Sequence, residues 1–348
     1  MDKKSGTNTP AISVPKGGGA IKGIGETFQP NIFMGTVSFS IPIWTSAGRN
    51  GFEPKLKLQY STGNGNGPFG LGWRLSVSRI TRKTEKGLPR YTEDDVFVLS
   101  EAEDLVPKLV KQGNQYVVDE RPISFGDVSF RVIRYRPRTE GSFARVERWI
   151  RDDGDVHWRV TTKENVTSIY GKTQDARLFD QKHPEHVFEW LLQETFDSKG
   201  NHILYEYVKE SPNLRIAEIY EENRQYNQIY IRRILYGNTP EALEDAKKVG
   251  PKRTGTHHRS PSDTKERHYL FEVLFDYGDL PDLPAIPFNP TQFPDKTTPD
   301  DWPLREDPFS SYRSGFEIRT LRRCRRVLML HHFAEGELTG APLVKSTD

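Results

Sequence analysis

"STGNGNGPFGLGWRLSVSRI", residues 61–80, places Gly65, Gly67 and Gly70 in the spacing G-x-G-x-x-G. In a doubly wound α/β fold this spacing cradles a dinucleotide pyrophosphate, but only between a strand and a helix whose N-terminus meets the phosphate. The strand is present in "KLKLQY" (55–60). The helix is not: "GWRLSVSRI" (72–80) alternates with period two, and Pro68 and Trp73 do not suit the motif. No G-K-[ST] follows, which removes a P-loop. The glycines are therefore read as left-handed backbone positions in a wide connection between strands. The chain reads as β.

The same period extends outward from this loop. Val37, Phe39, Ile41 and Ile43 share one face of a half-buried strand, with Pro42 marking it as an edge or irregular there. Leu56, Leu58 and Tyr60 repeat the alternation, as do Trp73, Leu75 and Val77. Further strands are expected at 95–100, 115–120, 127–135, 155–160, 187–196, 202–208, 227–236 and 269–277. "FEIRTLRRCRRVLMLHHF" (316–333) is read as two strands or one long bent one. "DDGD" (152–155), "DSKGN" (197–201) and three aromatic–Gly endings, Tyr170–Gly171, Tyr236–Gly237 and Tyr277–Gly278, punctuate them. The fold class is mainly β, antiparallel and rich in long loops. One short helix is expected at "TPEALEDAKK" (239–248), with Thr239 as cap and Pro240 in the first turn.

Residues 1–30 read as an extended arm rich in Gly, Pro, Ser and Thr, and 31–348 as one β domain. That domain carries a polar insertion at 249–267 and a proline-rich strap at 281–308, whose eight prolines exclude a central strand or helix. Lys plus Arg number 50 against 48 Asp plus Glu, a balance without the electrostatic footprint of a nucleic-acid or acidic-membrane binder. Cys324 is the only cysteine, so neither an intramolecular disulfide nor a Cys-based zinc site can form within the chain. The start lacks an apolar run of signal-peptide length, and "VLML" (327–330) is too short to span a bilayer. The expectation is no direct membrane insertion, with export by a route other than a standard signal peptide.

Several long strings carry a resemblance. "PAISVPKGGGAIKGIGETF" (10–28), "GNGPFGLGWRLSVSRITRKTEKGLPRY" (65–91), "DVFVLSEAEDLVP" (95–107), "FEWLLQETFDSKGNHILYEYV" (188–208), "IRRILYGN" (231–238) and "DPFSSYRSGFEIRTLRRCRRVLMLHHF" (307–333) occur in order. They resemble the N-terminal SpvB-like domain shared by Salmonella virulence plasmid B proteins and the TcB components of insecticidal Tc toxin complexes. "FDSKGNHILYEY" also resembles a strand–turn–strand unit of Rhs/YD-type shells. The resemblance implies a β-rich shell module: TcB and a TcC/Rhs-type component form a cocoon around a toxic peptide, which docks on a TcA injection component. It implies as partners TcC, the rest of a TcB-like chain and, indirectly, TcA. It implies a product secreted to the extracellular space, and cytoplasmic before export.

ADP-ribosyltransferase activity requires an Arg strand, a Ser-Thr-Ser strand and an E-x-E pair in order. Glu101/Glu103 and Glu335/Glu337 supply E-x-E, but no S-T-S precedes either. His183 and His186 form H-x-x-H beside Asp180 and Glu185, and His-His pairs occur at 257–258 and 331–332. No H-E-x-x-H helix is present and Pro184 interrupts the first group, so a solvated turn is expected there. His331 and His332 are expected to divide between two faces. Arg319, Arg322, Arg323, Arg325 and Arg326 alternate faces on a strand, so pairing with carboxylates is expected rather than a phosphate-binding stripe. No G-x-S-x-G elbow supports a hydrolase. The sequence thus points to a non-catalytic module with no catalytic, cofactor-binding or metal-binding residue assigned and no cofactor. The alternatives are a toxin enzyme of the ADP-ribosyltransferase kind and a surface-binding module using Trp44, Phe69 and Trp73.

Overall fold

The computed structural model describes residues 27–31, 36–100, 104–139, 143–211, 214, 216, 218–238, 269–280, 299–332 and 343–348. The helix expected at 239–248, the insertion at 249–267, most of the N-terminal arm and residues 281–298 of the strap lie outside them. The described residues form antiparallel strands connected by loops and short 3-10 turns.

A first sheet runs β1 (Thr27–Asn31), β2 (Thr36–Ile43), β3 (Leu56–Ser61) and β4 (Trp73–Leu75). The expected arm thus ends earlier than read, because Thr27–Asn31 pairs with β2. Phe39, Tyr60 and Trp73 lie opposite one another across three strands, with ring centroids 6.3 Å apart for Phe39–Trp73 and 5.3 Å for Tyr60–Trp73. Such aromatic cross-strand contacts are a principal source of sheet cohesion. Pro42 lies beyond the last residue paired with β1, where β2 is bonded on one side only. That is the edge position its missing N–H requires.

The chain then enters a fifteen-stranded sheet. Its first members are β5 (Arg79–Arg82), β6 (Phe97–Leu99) and β7 (Asp104–Pro107), followed by a separate hairpin, β8 (Leu109–Gln112) and β9 (Gln115–Val118). The sheet resumes with β10 (Glu120–Phe125), β11 (Val128–Pro137), β12 (Arg145–Arg151), β13 (Val156–Thr161), β14 (Thr167–Tyr170), β15 (Arg177–Asp180) and β16 (His183–Phe196). It continues with β17 (His202–Lys209), β18 (Ile229–Asn238) and β19 (Tyr269–Asp276). After a small hairpin, β20 (Phe309–Ser311) and β21 (Ile318–Thr320), it ends with β22 (Arg326–His331) and β23 (Leu343–Thr347).

The pairing closes on itself. Neighbours run β5–β6–β7–β11–β12–β13–β14–β16 and return to β5, an antiparallel barrel of eight strands. One edge of β16 is shared in sequence: Glu189–Leu191 bond to β5, and Glu194–Phe196 bond to β17. The second half of β16 thereby hands the barrel wall on to an open sheet, β17–β18–β19–β22–β23. The strand–turn–strand unit read at 196–207 lies at this junction. Asp197 accepts bonds from the Lys199 and Asn201 amides at 2.8 and 3.0 Å, an Asx turn joining β16 to β17.

An eight-stranded barrel is just wide enough for side chains to fill it. Here Phe97 sits at the centre, with ring centroids 4.9 Å from Trp158, 5.7 Å from Trp190 and 6.1 Å from Tyr135. Ile80, Val146 and Leu105 complete the packing, all buried.

The three aromatic–Gly endings recur as one device. Tyr170, Tyr236 and Tyr277 are buried, and their hydroxyls engage the Ser78 hydroxyl, the Ser46 carbonyl and the Ile231 carbonyl at 2.8, 2.7 and 3.0 Å. Each glycine that follows has positive φ. At Gly171, φ is 58°, and an added Cβ would meet Trp190 Cδ1 at 2.5 Å. Gly171→Ala therefore combines left-handed strain with a clash against a buried indole. The expected loss is about 2–4 kcal/mol in urea denaturation. A loss below roughly 0.5 kcal/mol, the surface-substitution range, would contradict this geometry.

Candidate functional site

The glycine loop is the first candidate, and its bonding polarity settles its role. The Gly67, Gly70 and Gly72 amides are used inside the loop, by Asn66 Oδ1 at 3.0 Å, the Gly67 carbonyl at 3.0 Å and the Gly65 carbonyl at 3.1 Å. What the loop presents outward is carbonyls. Gly67 accepts from Arg305 Nη1 at 2.9 Å, and Pro68 accepts from the Cys324 amide at 2.8 Å. A phosphate cradle needs the opposite polarity, convergent N–H donors. Gly72, at φ 83°, has no room for a Cβ, which would fall 2.4 Å from the Tyr60 ring. The loop is a clasp between the first sheet and the segment before β20. Arg305 completes it by bridging Asn66 Oδ1 at 3.0 Å and Asp307 at 2.8 and 2.9 Å. Arg305, with Asn66, holds the Asp307 carboxyl well below the usual carboxylate range. Phe69 packs edge-on against Phe275, centroids 6.2 Å apart.

The arginine run is the second candidate, and 316–333 does form two strands, β21 and β22. Arg319 pairs with Glu221, Arg322 with Glu210 at 3.0 Å and Arg326 with Asp276 at 2.5 Å, while Arg323 and Arg325 are exposed. Arg232 joins the same region by a two-pronged contact with Asp279 at 3.1 and 2.7 Å. Trp302 stacks on Tyr277 at 4.6 Å and lies edge-on to Tyr230 at 5.9 Å, pressing residues 299–308 onto the open sheet. Glu317 gathers the Ser310 hydroxyl, the Tyr312 hydroxyl, Arg224 and the Gln225 amide at 2.6–3.1 Å, which fixes the β20–β21 hairpin to the 3-10 turn at Ile219–Glu221. The pairs made by Arg319, Arg322 and Glu317 join residues 98, 112 and 93 positions apart in sequence.

The remaining buried ionisable groups also have internal partners. Burial works against the charge on Glu194, but Lys172 at 2.8 Å and His202 at 3.5 Å outweigh it and hold the carboxyl well below its ordinary range. Burial lowers Arg159 to about 10, against the attraction of Glu147 and Glu194, while its guanidinium lies 3.9 Å from the Trp149 ring centroid. Burial pushes the Cys324 thiol well up, the reverse of what an activated nucleophile needs. Among the described residues no group of three or more His, Cys, Asp or Glu is placed to hold a metal ion.

Glu101, Glu103, His257, His258, Glu335 and Glu337 lie outside the described residues. His183 and His186 occupy not a turn but the exposed start of β16, with ring centroids 5.2 Å apart, and His186 stacks on Tyr91 at 4.3 Å. Pro184 is tolerated at that exposed strand end. His331 and His332 diverge as expected, to Ser46 Oγ at 2.6 Å and Glu272 at 2.7 Å. Of the three aromatics considered for surface binding, Phe69 and Trp73 are engaged in packing, while Trp44 is 44% exposed with Lys345 5.7 Å over its ring. Sequence reading missed Glu210, Glu221 and Arg305. Their only signal was an excess of paired charge in a near-neutral β chain.

Residues 31–333 match the family described as SpvB, Salmonella virulence plasmid 65kDa B protein. The chain is 36% identical over 328 residues to the mono(ADP-ribosyl)transferase SpvB of Salmonella typhimurium, covering 92% of this chain and 51% of that protein. The Salmonella choleraesuis protein of the same name gives 36% over 329 residues, 93% of this chain and 51% of the relative. The chain thus spans about half the length of the curated relatives it matches. The N-terminal domain of effector protein SpvB from Salmonella typhimurium strain LT2 superposes with a TM-score of 0.72 at 35% identity, covering 88% of this chain and 91% of that one. The crystal structure of TcdB2-TccC3 gives 0.74 at 33% identity, with 97% of this chain and 16% of that one. The Photorhabdus luminescens Tc holotoxin pore carrying a TccC3 mutation gives 0.76 at 33%, with 99% and 15%.

Proposed function

The chain belongs to the SpvB family, and on that premise we propose that it is a non-catalytic, wall-forming module of a bacterial protein toxin. One observation carries the reading. The barrel is closed, filled by Phe97, Trp158, Trp190 and Tyr135, and continuous through β16 with an open sheet. Such a body offers rigidity and a surface for further strands instead of a reaction chamber. In this role the module forms part of a cocoon with the rest of a TcB-like chain and a TcC/Rhs-type component, and reaches a TcA-like component through them. It acts outside the bacterium after export. The likeness to TcdB2-TccC3 and to the Tc holotoxin pore supports this assignment.

The enzymatic alternative takes its support from the name of the curated relatives, mono(ADP-ribosyl)transferase. Against it, the chain corresponds to 51% of their length and matches the N-terminal domain of SpvB. The test incubates the chain with radiolabelled NAD and eukaryotic cell extract beside the full-length Salmonella relative. The chain is expected to transfer no label above a boiled control while the relative labels the extract. Label transferred by the chain would overturn the proposal.

A further inference from the structure

The mouth of the barrel contains an arginine whose partner is poorly matched to it. Arg148, in β12, lies in register with Ile133 and Trp158 on the inward face, and its guanidinium sits 5.2 Å from the Phe97 ring centroid. Its Nη1 and Nη2 contact Glu93 Oε2 and Oε1 at 2.6 and 3.1 Å, the Tyr135 side chain also hydrogen-bonds to the arginine, and its Nε is buried without a hydrogen-bond partner among the described residues. The arginine side chain is 5% exposed and the glutamate side chain 63%. Three other buried arginines meet carboxylates that are themselves buried or nearly so, Arg322–Glu210, Arg319–Glu221 and Arg82–Asp95, while Arg177 meets Asp155, which is 25% exposed. Arg305–Asp307 has similar asymmetry, but Arg305 spends its other donors on Gly67 and Asn66.

Among the described residues Glu93 accepts side-chain hydrogen bonds from Arg148 alone, although Arg131 and Arg82 also attract its carboxylate. Asp95 holds that turn, accepting from the Arg90 and Tyr91 amides at 3.0 and 2.8 Å and from Arg82 at 2.6 Å. Arg82 is therefore neutralised independently, and Arg131 at the same mouth pairs with Glu120 at 3.4 Å. Glu93 can leave while the turn stays in place. A buried guanidinium demands a carboxylate, whereas an exposed glutamate gains little from holding one position.

We propose that Arg148 is a receptor for a carboxylate carried by another chain or chain segment, and that Glu93 is an exchangeable stand-in for it. The guanidinium fork recognises any carboxylate with two free oxygens, from an acidic side chain or from a chain terminus.

The test is a thermal-midpoint titration of the whole chain. Glu93→Ala is expected to lower the midpoint by several degrees, and sodium acetate to restore it, where sodium chloride at equal ionic strength does not. Glu93→Ala with Arg148→Met should show no acetate response. In the wild-type chain the tethered Glu93 competes at an effective concentration in the millimolar range, so the response should need at least about tenfold more acetate. N-acetylglutamate α-amide and N-acetylalanine then distinguish a side-chain source from a chain-terminal one by which acts at lower concentration. If Glu93→Ala does not fold, Glu93→Gln is titrated in its place. An acetate-independent midpoint in the Glu93 variant, or a wild-type chain that does not respond at any concentration, overturns the proposal.

Discussion

Arg322→Met is expected to cost the fold about 3–5 kcal/mol, the range for removing one partner of a buried ion pair. Arg322 and Glu210 are 1% and 0% exposed, and Arg322 Nε and Nη2 reach the carboxylate at 3.0–3.3 Å. Arg322 also donates to the Trp302 carbonyl, and the Tyr230 hydroxyl donates to Glu210 at 3.1 Å. Losing the guanidinium strands a carboxylate in a dry environment and frees residues 299–308 from the sheet. Glu210→Gln removes the charge while keeping an acceptor for Tyr230. The double variant is therefore expected to be less damaged than the sum of the two single ones, by roughly 0.5–3 kcal/mol of coupling. Urea denaturation of the four proteins measures it. Additive effects, or an Arg322→Met loss under about 1 kcal/mol, would mean the pair does not fasten residues 299–308 to the sheet.

The second large effect is inside the barrel, where Trp190→Ala should cost about 3–5 kcal/mol. The two central tryptophans then separate on a finer substitution. Trp190 Nε1 donates to the Val156 carbonyl at 2.9 Å, whereas the buried Trp158 Nε1 has no hydrogen-bond partner among the described residues. Trp190→Phe loses volume and also the hydrogen bond to the part-buried Val156 carbonyl, adding about 0.5–1.5 kcal/mol. Trp158→Phe loses volume alone and removes an unpaired donor. Trp158→Phe should therefore be the milder change in the same denaturation assay. Equal or reversed costs would show that the polar contact at Trp190 does not hold the β13–β16 contact.

Much of this fold was legible because alternation is local. Long strands such as β17 and β18 carry many apolar residues at period two and fall within two residues of their expected positions, and β16 ends where expected but begins four residues earlier, at His183. The glycine loop was also legible, since the absence of a following helix needs no tertiary information. Its partners were not: Arg305 and Cys324 lie more than two hundred residues downstream. The continuous strand read over 72–80 is two strands in different sheets, because Ser76–Ser78 turn the chain from β4 into β5. β12 was missed for a different reason. Its inward face carries Arg148 between Val146 and Ile150, and its outward face carries buried Glu147 and Trp149, so the hydrophobic period is broken by paired charge. The arginine run announced internal pairing in kind, but not the identities of Glu210, Glu221 and Asp276. Closure of the barrel was illegible, since it depends on β14 meeting β16 and β5 meeting β16, pairings that no local pattern encodes.

The wall-forming account rests on that closure, and hydrogen–deuterium exchange of the native chain tests it most directly. Thr167–Tyr170 in β14 and Leu192–Phe196 in β16 form the closing seam, while β8 and β9 form a largely exposed two-stranded hairpin. Cooperative opening predicts that the seam amides exchange as slowly as those between β12 and β13, with the β8–β9 amides far faster. A seam that exchanges with the hairpin while β12–β13 stays protected would mean an open sheet, and the account would not stand.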